Sequence, residues 1–505
     1  MRGSRGNGGM RLERIATAVG VAGLVLTSAL ARADIGSDRP AAIVVFPKIL
    51  VDTTSGLDTM IRLSNTSGDE INVQCFYVNA TPQCSVPGGS CFPNEIGCVG
   101  LIQGQQVFGN CKPQWQETDF LIRLTAFQPT AWLVSQGAVD CQSIQVRGGG
   151  VCSNDPNVTC ETNRECGTGN RCVYPPCFPL DGFIRRGPRG QSNAGSNVPP
   201  SPEDPFIGEL KCIAVDESLL PVGRNDLKGE VLIGKVDSEN DFVDVAGYNA
   251  IGIPALPGAG NRDNTLVLGG TSRGEDPGDP CHATGTCAEY EGCPNFLILD
   301  HFFDGAVDPL VLNRCLDDSK CSVTGDACVD DSDCQNTCEA DKCNLTGEDC
   351  TDDEDCDALV GRVRVATDLT LIPCTQDFRT QNPALSRTTA QFLVFNEFEQ
   401  RFSTSRPVEC FKEVRLSNLD TAENDRSIFS AGVGGSLTGQ TRVRGVVTTT
   451  EGGGNTLIGV VEEFRCRGPD FPTCSFTDAE ELIGSTATNL HFQGRRPQSD
   501  FLYLP

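Results

Sequence analysis

Ile71-Asn72-Val73-Gln74-Cys75-Phe76-Tyr77-Val78 is the stretch of this 505-residue chain that decides its fold class. Its β-branched and aromatic residues favour extended backbone. The strict alternation places four side chains on one side of a strand: Ile71, Val73, Cys75 and Tyr77. Turn-forming residues precede it, in Asn65-Thr66-Ser67-Gly68-Asp69. The sequence therefore predicts a β-strand with one buried face.

Segments of the same kind recur along the chain, each short and bounded by turn residues. They lie at residues 42–46, 60–63, 120–124, 207–215, 228–236, 243–251, 265–268, 296–302, 362–371, 391–398, 408–416, 441–449 and 457–464. One short segment, residues 478–483, looks helical instead. Strands at this spacing are typical of antiparallel sandwiches and barrels. The fold class we expect is mostly β, with two or more antiparallel sandwich-like domains that carry disulfide-rich insertions of little secondary structure.

Composition shifts divide the chain into regions. We predict a β-sandwich-like domain at 34–147, a Cys-rich unit at 148–180 that Gly148-Gly149-Gly150 introduces, and a Pro-, Gly-, Ser- and Asn-rich linker at 181–205. A second β region follows at 206–505, as one domain or two. Cys-rich tandem repeats are inserted in it at 315–357.

The N-terminus has the organisation of an export signal. Arg11 and Arg14 precede an apolar stretch at 15–30, and Ala31-Arg32-Ala33 matches the small-x-small pattern of a cleavage site. We therefore predict a signal peptide at 1–33. No later stretch is long and apolar enough for a membrane helix, so we expect no integral membrane segment after cleavage. An extracellular, cell-surface or periplasmic location follows from these expectations.

The chain holds 27 cysteines and carries a net charge of -27. An exported chain with so many cysteines is expected to form disulfides, and an odd count leaves at least one thiol without an intramolecular partner. Cys212, on one face of a strand-like segment with Leu210 and Ala214, is expected to be a buried thiol. The strong negative charge repels phosphate backbones and argues against a nucleic-acid partner.

A cysteine pattern, C-x6/7-C-x5-C with a further cysteine in complete copies, occurs three times. The copies are Cys152-Cys160-Cys166-Cys172, Cys321-Cys328-Cys334-Cys338 and Cys343-Cys350-Cys356, with Cys315 just before the second. The last two copies share one register, 22 residues apart. Repetition of three spacings indicates tandem cross-linked modules. The spacing leaves the pairing open, because four cysteines allow three connectivities.

Residues 315–357 contain fifteen Asp or Glu and two Lys. Their apolar side chains other than cysteine number six: Leu316, Val323, Ala327, Val329, Ala340 and Leu345. So few apolar groups cannot offset the entropy of ordering the chain, whereas a disulfide contributes about 2–4 kcal/mol. We expect the disulfides to replace a hydrophobic core in the repeats.

Cys328-Val329-Asp330-Asp331-Ser332-Asp333-Cys334 and Cys350-Thr351-Asp352-Asp353-Glu354-Asp355-Cys356 resemble short Cys-rich repeats of large exported proteins in Gram-negative bacteria. Those repeats in turn resemble the N-terminal cysteine-rich region of the Dickkopf family. The resemblance covers about an eighth of the chain and consists mostly of cysteine spacing. It implies an extracellular or periplasmic protein and implies no activity.

Calcium is the metal that the repeats suggest. Carboxylates in cross-linked loops offer the hard oxygen ligands that calcium prefers, here Asp330, Asp331, Asp333, Asp352, Asp353 and Asp355. The alternative is a solvated acidic face, since the D-x-[DN]-x-[DN]-G loop is absent. Calcium is thus the one possible cofactor; otherwise none is expected.

Two further binding sites compete with ordinary structural roles. Cys281, His282, Cys287 and Cys293 lie close together and include zinc-ligand types, but without a C-x2-C pair disulfides are favoured. Trp115, among polar residues, is a candidate stacking platform for a glycan, and a partly buried loop tryptophan is the alternative. Trp132, in Ala131-Trp132-Leu133-Val134, is expected in the core.

Catalytic motifs are scarce in this sequence. His301, with Asp304 nearby, could serve in a hydrolase, but a histidine at the end of an apolar strand is more often a satisfied structural group. The segment 434–439 lacks the G-x-S-x-G spacing of a nucleophile elbow. A pair of carboxylates remains open, because 67 acidic residues do not single out two.

The function we expect is non-enzymatic. An exported binding or structural protein would present disulfide-rigidified acidic loops to a protein partner or a surface glycan. Rigid loops lose less entropy on contact with a partner. The alternatives are an exported hydrolase with a carboxylate or His301 site in a cleft between β domains, and a calcium-stabilised adhesin.

Overall fold

A computed structural model describes the chain from residue 35 onward, with gaps. The described residues are 35–91, 97–138, 150–152, 155–160, 172–173, 198–236, 242–256, 265–269, 289–309, 311, 313–316, 319–321, 326–329, 331–339, 341–343, 349–351, 362–381, 385–420, 426–446, 456–466, 474–475, 482–493 and 500–504. The predicted signal peptide, most of the unit at 148–180 and most of the linker at 181–205 lie outside them. Residues 34–505 form one compact unit.

Most of the described residues are in strands and none is in an α-helix, which confirms the mostly β fold class. The first strands are β1 Ile43–Val51, β2 Leu57–Asn65, β3 Ile71–Asn79, β4 Pro82–Cys84, β5 Ser90–Cys91, β6 Gly97–Ile102, β7 Gln105–Pro113, β8 Gln116–Leu124, β9 Pro129–Leu133, β10 Gly150–Cys152, β11 Asp155–Cys160, β12 Cys172–Val173, β13 Phe206–Val215, β14 Leu227–Val236, β15 Phe242–Asn249 and β16 Ile251–Ile253.

The remaining strands begin at Thr265. They are β17 Thr265–Gly269, β18 Glu289–Glu291, β19 Phe296–Phe302, β20 Cys338–Glu339, β21 Lys342–Cys343, β22 Arg364–Pro373, β23 Gln376–Asp377, β24 Arg387–Asn396, β25 Arg401–Glu409, β26 Lys412–Arg415, β27 Thr438–Val446, β28 Leu457–Cys466, β29 Leu482–Asn489, β30 His491–Gln493 and β31 Asp500–Tyr503. Short 3-10 helices occupy Asp331–Cys334 and Leu416–Asn418.

Two antiparallel sheets form a first sandwich. Sheet 1 has the strand order β16-β1-β13-β3-β8, and sheet 2 has the order β15-β14-β2-β9. The predicted buried face of β3 lies in the core between them, where Ile71, Val73, Cys75 and Tyr77 join one hydrophobic cluster. The two sheets approach closely at Gly229, where a Cβ atom would lie 2.5 Å from the ring of Phe46.

A second sandwich consists of sheet 3, with the order β25-β24-β27-β19-β30, and sheet 4, with the order β26-β22-β28-β29. Its core contains Leu299, Phe392, Val443 and Val461. The paired strands β22 and β28 also give residues to the first core, Ala366 and Phe464 among them. The two sandwiches are therefore joined through shared strands.

Sheet 1 is buried on both faces except at its edge strand β8, where alternate residues such as Leu121 are exposed. The face of sheet 1 that points away from sheet 2 packs against sheet 5, and residues of both sheets form a second hydrophobic cluster. Sheet 5 is a mixed sheet with the order β18-β17-β31-β23. In this sheet β31 runs parallel to β17 and to β23. Ile213 of β13 and Phe76 of β3 lie in this second cluster, while their sequence neighbours Cys212 and Tyr77 lie in the first core. Sheet 1 is thus the central layer of the molecule.

The pairing of β13 crosses the boundary that the sequence suggested. This strand follows the predicted linker, yet it lies between β1 and β3 in sheet 1. Likewise β14 pairs with β2 in sheet 2. The sheets thus do not divide at 147 and 206, because the chain returns after its Cys-rich excursion to complete the sandwich it began.

Two predicted segments need correction. Residues 408–416 are not one strand, because Cys410 has φ of 61° and separates β25 from β26. Leu482 and Ile483, at the end of the predicted helix, begin strand β29, which pairs with β28. Residues 478–481 lie outside the described part.

Cys212 is not a free thiol. It forms a disulfide with Cys75 across the paired strands β13 and β3, with Cα atoms 4.1 Å apart. Both cysteines lie in the first core, where Trp132 is also fully buried, as predicted. Trp132 Nε1 donates a hydrogen bond of 2.7 Å to the hydroxyl of Tyr77, which satisfies the polar atom of the indole. The only free cysteine among the described residues is Cys410, which is buried.

Candidate functional site

A four-stranded sheet formed by a segment inserted between β3 and β8 is the first candidate site. Its order is β4-β7-β6-β5, and we call residues 82–113 the stapled arm. Strands β6 and β7 form a hairpin whose turn is Gln103-Gly104. Both turn residues have positive φ, 52° at Gln103 and 81° at Gly104. Glycine adopts such a φ without strain, which suits the second position of this turn.

Two disulfides fix the arm. Cys84 is bonded to Cys98 and Cys91 to Cys111, so the second loop opens before the first closes. The Cα separations are 5.5 Å in each case, within the usual range for a disulfide. Because the two bonds are interlaced and each links two different strands, all four strands of the arm are tied together.

The hairpin of the arm exposes three large apolar side chains near its turn. Leu101 is 66 % exposed, Ile102 47 % and Phe108 71 %. We call these three residues the apolar tip. Single exposed apolar residues are ordinary on a protein surface, but three on one cross-linked hairpin are more typical of a contact surface.

The tandem repeats use the same interlaced arrangement. Cys315 is bonded to Cys328 and Cys321 to Cys334, each pair 13 residues apart. Cys338 is bonded to Cys350, 12 residues away, and Cys343 is also disulfide-bonded. The closed unit therefore starts at Cys315. In the set Cys321-Cys328-Cys334-Cys338 only Cys321 and Cys334 bond to each other, since Cys328 and Cys338 bond to cysteines outside it.

The sulfur atoms of Cys321, Cys328 and Cys334 lie within 4.8 Å of one another and are buried. All three belong to the two disulfides just described, so they have no thiolate to offer a metal. This sulfur cluster is instead the core of the repeat, with Cys315 packed against it. Disulfides do replace an apolar core in this module.

Of the six calcium candidates, the structure describes the side chain of Asp333. Its Oδ2 accepts a hydrogen bond of 2.6 Å from the backbone N–H of Val329, so this carboxylate closes the turn before it. Asp331 begins the 3-10 helix Asp331–Cys334. The other candidates, Asp330, Asp352, Asp353 and Asp355, lie outside the described residues. A calcium site stays a prediction.

The first Cys-rich unit contributes a small sheet with the order β11-β10-β12. In the antiparallel register of this sheet, Cys152 of β10 lies opposite Cys172 of β12, and Gly150 lies opposite Cys160 of β11. Cys166 lies outside the described residues. This insertion has regular structure where little was expected.

Cys293 and Trp115 do not have the binding roles considered from the sequence. Cys293 is bonded to Cys374, which removes it as a zinc ligand, while Cys281, His282 and Cys287 lie outside the described residues. Trp115 is buried, and its ring centroid lies 6.1 Å from that of Phe378. The stacking-platform hypothesis is wrong, because sheet 5 and its connections cover the face on which Trp115 lies.

His301 lies in β19, buried among aromatic rings. Its Nδ1 is 2.8 Å from the carbonyl of Phe302, to which it donates, so Nε2 accepts from the hydroxyl of Thr441 at 2.8 Å. Burial lowers the pKa of His301 to about 4. A neutral imidazole with both nitrogens occupied is a satisfied structural group.

Asp304 is equally buried and equally occupied. It accepts hydrogen bonds of 2.8 Å from the backbone N–H groups of Thr367 and Ser417. Burial raises the pKa of Asp304 to about 6. These contacts show Asp304 joining sheet 4 to the turn after β26, a structural role.

The glycines of segment 434–439 also have a packing role. Cβ atoms at Gly434, Gly435 and Gly439 would lie 2.4–2.7 Å from the ring of Phe303, so only glycine leaves room for this side chain. Ser436 donates to Glu397 Oε1 at 2.5 Å. The segment surrounds an aromatic ring rather than forming a nucleophile elbow.

A polar cleft lies between the two sandwiches. It has a volume of about 490 Å3 and is lined by β14 and β15 on one side and by β29 on the other. Two carboxylates, Asp38 and Glu230, are among its lining residues, together with the amides Asn249 and Asn489. Asn489 Nδ2 donates to the carbonyl of Asn249 at 2.6 Å and so bridges the cleft. This is where a carboxylate-based hydrolase would have its site.

Buried charges connect the layers. Lys48 of β1 contacts Glu413 of β26 and Glu462 of β28, and Lys211 of β13 lies 2.5 Å from Glu209 and contacts Gln376. Burial lowers the pKa of Lys211 and raises that of Glu209. Lys211 also lies 5.5 Å from the ring centroid of Phe378. Each buried ammonium is thus paired with carboxylates or an amide oxygen, as buried charges in proteins usually are.

Sequence reasoning missed the stapled arm and both buried lysines. The arm had a partial signal, since Cys84, Cys91 and Cys98 follow one another with the six-residue gap that also separates Cys321 from Cys328, although twelve residues separate Cys98 from Cys111. The lysines had none, because a lysine between apolar residues in a strand normally faces solvent. Sheet 5 covers Lys211, whose partner Gln376 lies in β23, and sheet 4 covers Lys48, whose partners lie in β26 and β28.

The described part of the chain contains no helix that is long and apolar enough to cross a membrane. Its many disulfides indicate that the protein matures outside the cytoplasm. Among known proteins, the chain matches no family model, and neither a curated protein nor a solved structure is detectably similar to it.

Proposed function

We propose that this protein is a non-enzymatic binding protein of the cell surface, the extracellular space or the periplasm, and that the stapled arm contacts its partner. The observation that carries the proposal is the apolar tip on a hairpin whose four-stranded sheet is held by two interlaced disulfides. A cross-linked hairpin loses little entropy on binding. Exposed Leu, Ile and Phe side chains supply the apolar area that contacts with a protein partner use.

The Cys-rich repeats extend the same design. Their interlaced disulfides hold polar, acidic loops in one shape without an apolar core. The resemblance to repeats of exported Gram-negative proteins supports a role outside the cytoplasm. In this proposal the sandwiches are a rigid base, and the cross-linked insertions are the surfaces presented to the partner.

Surface retention tests the proposal. The purified protein is labelled and added to washed cells of the species that produces it, and bound protein is measured against concentration. We expect saturable binding that weakens at least tenfold in the variant Leu101→Ser/Ile102→Ser/Phe108→Ser, because central apolar contacts dominate binding free energies. Phe127→Ser is the matched control, since Phe127 is 69 % exposed on the turn between β8 and β9. Equal binding by the tip variant, or no saturable binding of the wild type, would contradict the proposal.

The second candidate is a hydrolase that uses the polar cleft, favoured by the presence of Asp38 and Glu230 in its wall. Glycosidases use two carboxylates that flank the scissile bond. A panel of chromogenic glycosides and esters tests this candidate. Turnover that disappears in both Asp38→Asn and Glu230→Gln would replace the binding proposal with the hydrolase. We expect no turnover by the wild type.

A further inference from the structure

A groove separates the stapled arm from the second sandwich. Its volume is about 320 Å3, and strands β4 and β7 of the arm form one wall. The opposite wall consists of the end of β25, strand β26 and the 3-10 turn that follows. This volume lies at the small end of the range of ligand-binding cavities, about 300–1,000 Å3.

The floor of the groove is apolar. Ile207, Phe411, Val414 and Leu419 line it, and Phe411 and Leu419 are almost completely buried. Cys111, which the disulfide to Cys91 holds in place, belongs to the arm side. The walls are therefore fixed before any ligand binds, and a preorganised apolar cavity favours binding of an apolar body.

Basic side chains border this apolar floor. Lys112 comes from β7 of the arm, Arg406 from β25 and Lys412 from β26. The one acidic residue in the lining, Glu409, forms an ion pair of 2.8 Å with Arg387. A local excess of positive charge in a chain of net charge -27 points to an anionic ligand.

Arg406 is the best-placed of the three cations. Its Nε–H donates to the backbone carbonyl of Leu419, which fixes the guanidinium against the groove wall. A guanidinium has five N–H donors in a planar fork that matches the two oxygens of a carboxylate. A fixed donor of this shape at the edge of an apolar floor suits a ligand with an apolar body and a carboxylate head.

A peptide strand is the competing occupant, because β25 is an edge strand of sheet 3 and β26 is an edge strand of sheet 4. An extended peptide could add to such an edge through backbone hydrogen bonds. However, Pro82, Pro113 and Pro407 all line the groove, and proline has no N–H to donate to a ladder. The lining thus disfavours strand addition and leaves a small molecule.

We infer that the groove between the stapled arm and β25–β26 binds a small monocarboxylate with an apolar body, such as a medium-chain alkyl acid. The apolar body occupies the floor formed by Phe411, Val414 and Leu419, and the carboxylate pairs with Arg406. This site is independent of the apolar tip, so it goes beyond the proposed function.

Calorimetric titration of the full chain with octanoate, octylammonium and 1-octanol tests this inference. We expect octanoate to bind at one saturable site and octylammonium to bind at least tenfold more weakly. Arg406→Gln should weaken octanoate at least tenfold and leave 1-octanol within about twofold, since 1-octanol makes no charge contact with Arg406. Arg401→Gln, at the exposed start of the same strand, should match the wild type.

A second variant keeps the test sharp if Arg406→Gln alters the fold. Val414 is a half-buried residue of the floor, so Val414→Trp fills the groove and should abolish octanoate binding while circular dichroism stays unchanged. Equal affinity for octanoate and octylammonium overturns the inference, and so does a loss in Arg401→Gln as large as in Arg406→Gln. Absence of saturable octanoate binding by the wild type overturns it too, whatever the cell-retention assay shows for the tip.

Discussion

Lys48 Nζ of β1 lies 2.6 Å from Glu413 Oε1 of β26 and also contacts Glu462 of β28. One ammonium group therefore links the first sandwich to the second. Burial alone lowers the pKa of an ammonium, but the carboxylates of Glu413 and Glu462 raise the pKa of Lys48 above its usual value. The backbone of Lys48 is also held, since its N–H donates to the hydroxyl of Tyr248 at 3.0 Å.

Removal of the Lys48 charge should destabilise the protein strongly. In Lys48→Met the carboxylates of Glu413 and Glu462 lose their cation inside the protein, and breaking a buried pair in this way costs about 3–5 kcal/mol. Urea unfolding followed by circular dichroism measures the loss. Arg62→Met is the control, because the Arg62–Glu230 pair is exposed and such pairs contribute about 0–1 kcal/mol. The triple variant Lys48→Met/Glu413→Gln/Glu462→Gln should recover part of the loss; no recovery would mean that packing, rather than charge, is what Lys48 supplies.

Glu413 should make stability depend on pH. Burial raises the pKa of Glu413 from 4.5 to about 7, against the opposing effect of Lys48. Between these two pH values the folded state holds a proton that the unfolded state releases. The contribution of this proton to the free energy of unfolding is therefore fully present below pH 4.5 and is lost as the pH rises through 7. Its size is at most about 3 kcal/mol, from 1.36 kcal/mol per pKa unit. Asp304, with a pKa raised to about 6, acts in the same direction.

The measurement compares wild type and Glu413→Gln by urea unfolding from pH 5 to pH 8. We expect the wild type to lose more stability than the variant over this range. His301 acts in the opposite sense: its pKa, lowered to about 4, gives stability above pH 6.5 that is lost as the pH falls through 4. Both the wild type and Glu413→Gln contain His301, so its effect cancels when their free energies of unfolding are subtracted. Parallel pH profiles would show that Glu413 stays ionised in the folded protein.

The disulfides of the core and of the arm should contribute unequally. Cys75–Cys212 closes a loop across 137 residues and lies between the central strands of sheet 1, whereas Cys84–Cys98 closes one of 14 residues in the arm. Loop-closure entropy then predicts a loss of about 5 kcal/mol for Cys75→Ala/Cys212→Ala and about 3 kcal/mol for Cys84→Ser/Cys98→Ser. Hydrogen exchange should accelerate around residues 97–113 in the arm variant alone. Faster exchange in β1 and β13 of the arm variant would contradict the separation of arm and core.

The predictability of this fold depends on how many faces of each strand are covered. In β3, alternation identified the face with Val73 and Cys75 correctly, since that face meets sheet 2. It could not reveal that Phe76 and Val78 are buried as well. A strand of the central layer shows less contrast between its faces, and the covering strands β17 and β31 are far away in the sequence. Long-range order such as β13 between β1 and β3 leaves no local pattern.

The sequence predicted the type of candidate site, a disulfide-linked module, but did not predict which segment of the chain would form it. Cysteine spacing identified cross-linked modules that stand in for a core, and the pairs Cys315–Cys328 and Cys321–Cys334 have that form. The same spacing could not select one connectivity among three. Trp115 shows the opposite failure: its polar neighbours suggested exposure, yet the residue packs on Phe378, more than 200 residues later. Burial at a contact of that range depends on the tertiary fold alone.

Cys410 should be protected from thiol reagents in the native protein. It lies at the turn between β25 and β26, where its N–H donates to the carbonyl of Ser386 at 2.6 Å, and its side chain is buried. Burial raises the pKa of the Cys410 thiol well above its usual value, so little of the reactive thiolate forms at pH 8.

Peptide mapping after alkylation with iodoacetamide at pH 8 follows the peptide that contains Cys410. We expect alkylation at least 100-fold slower than that of a free cysteine peptide, and complete alkylation in guanidinium chloride without reductant, which serves as the control. Because unfolding exposes this thiol, Lys48→Met should speed its alkylation whereas Arg62→Met should not. Rapid alkylation of Cys410 in the native wild type would show that the turn between β25 and β26 opens readily, and that the wall of the adjacent groove is less rigid than its contacts indicate.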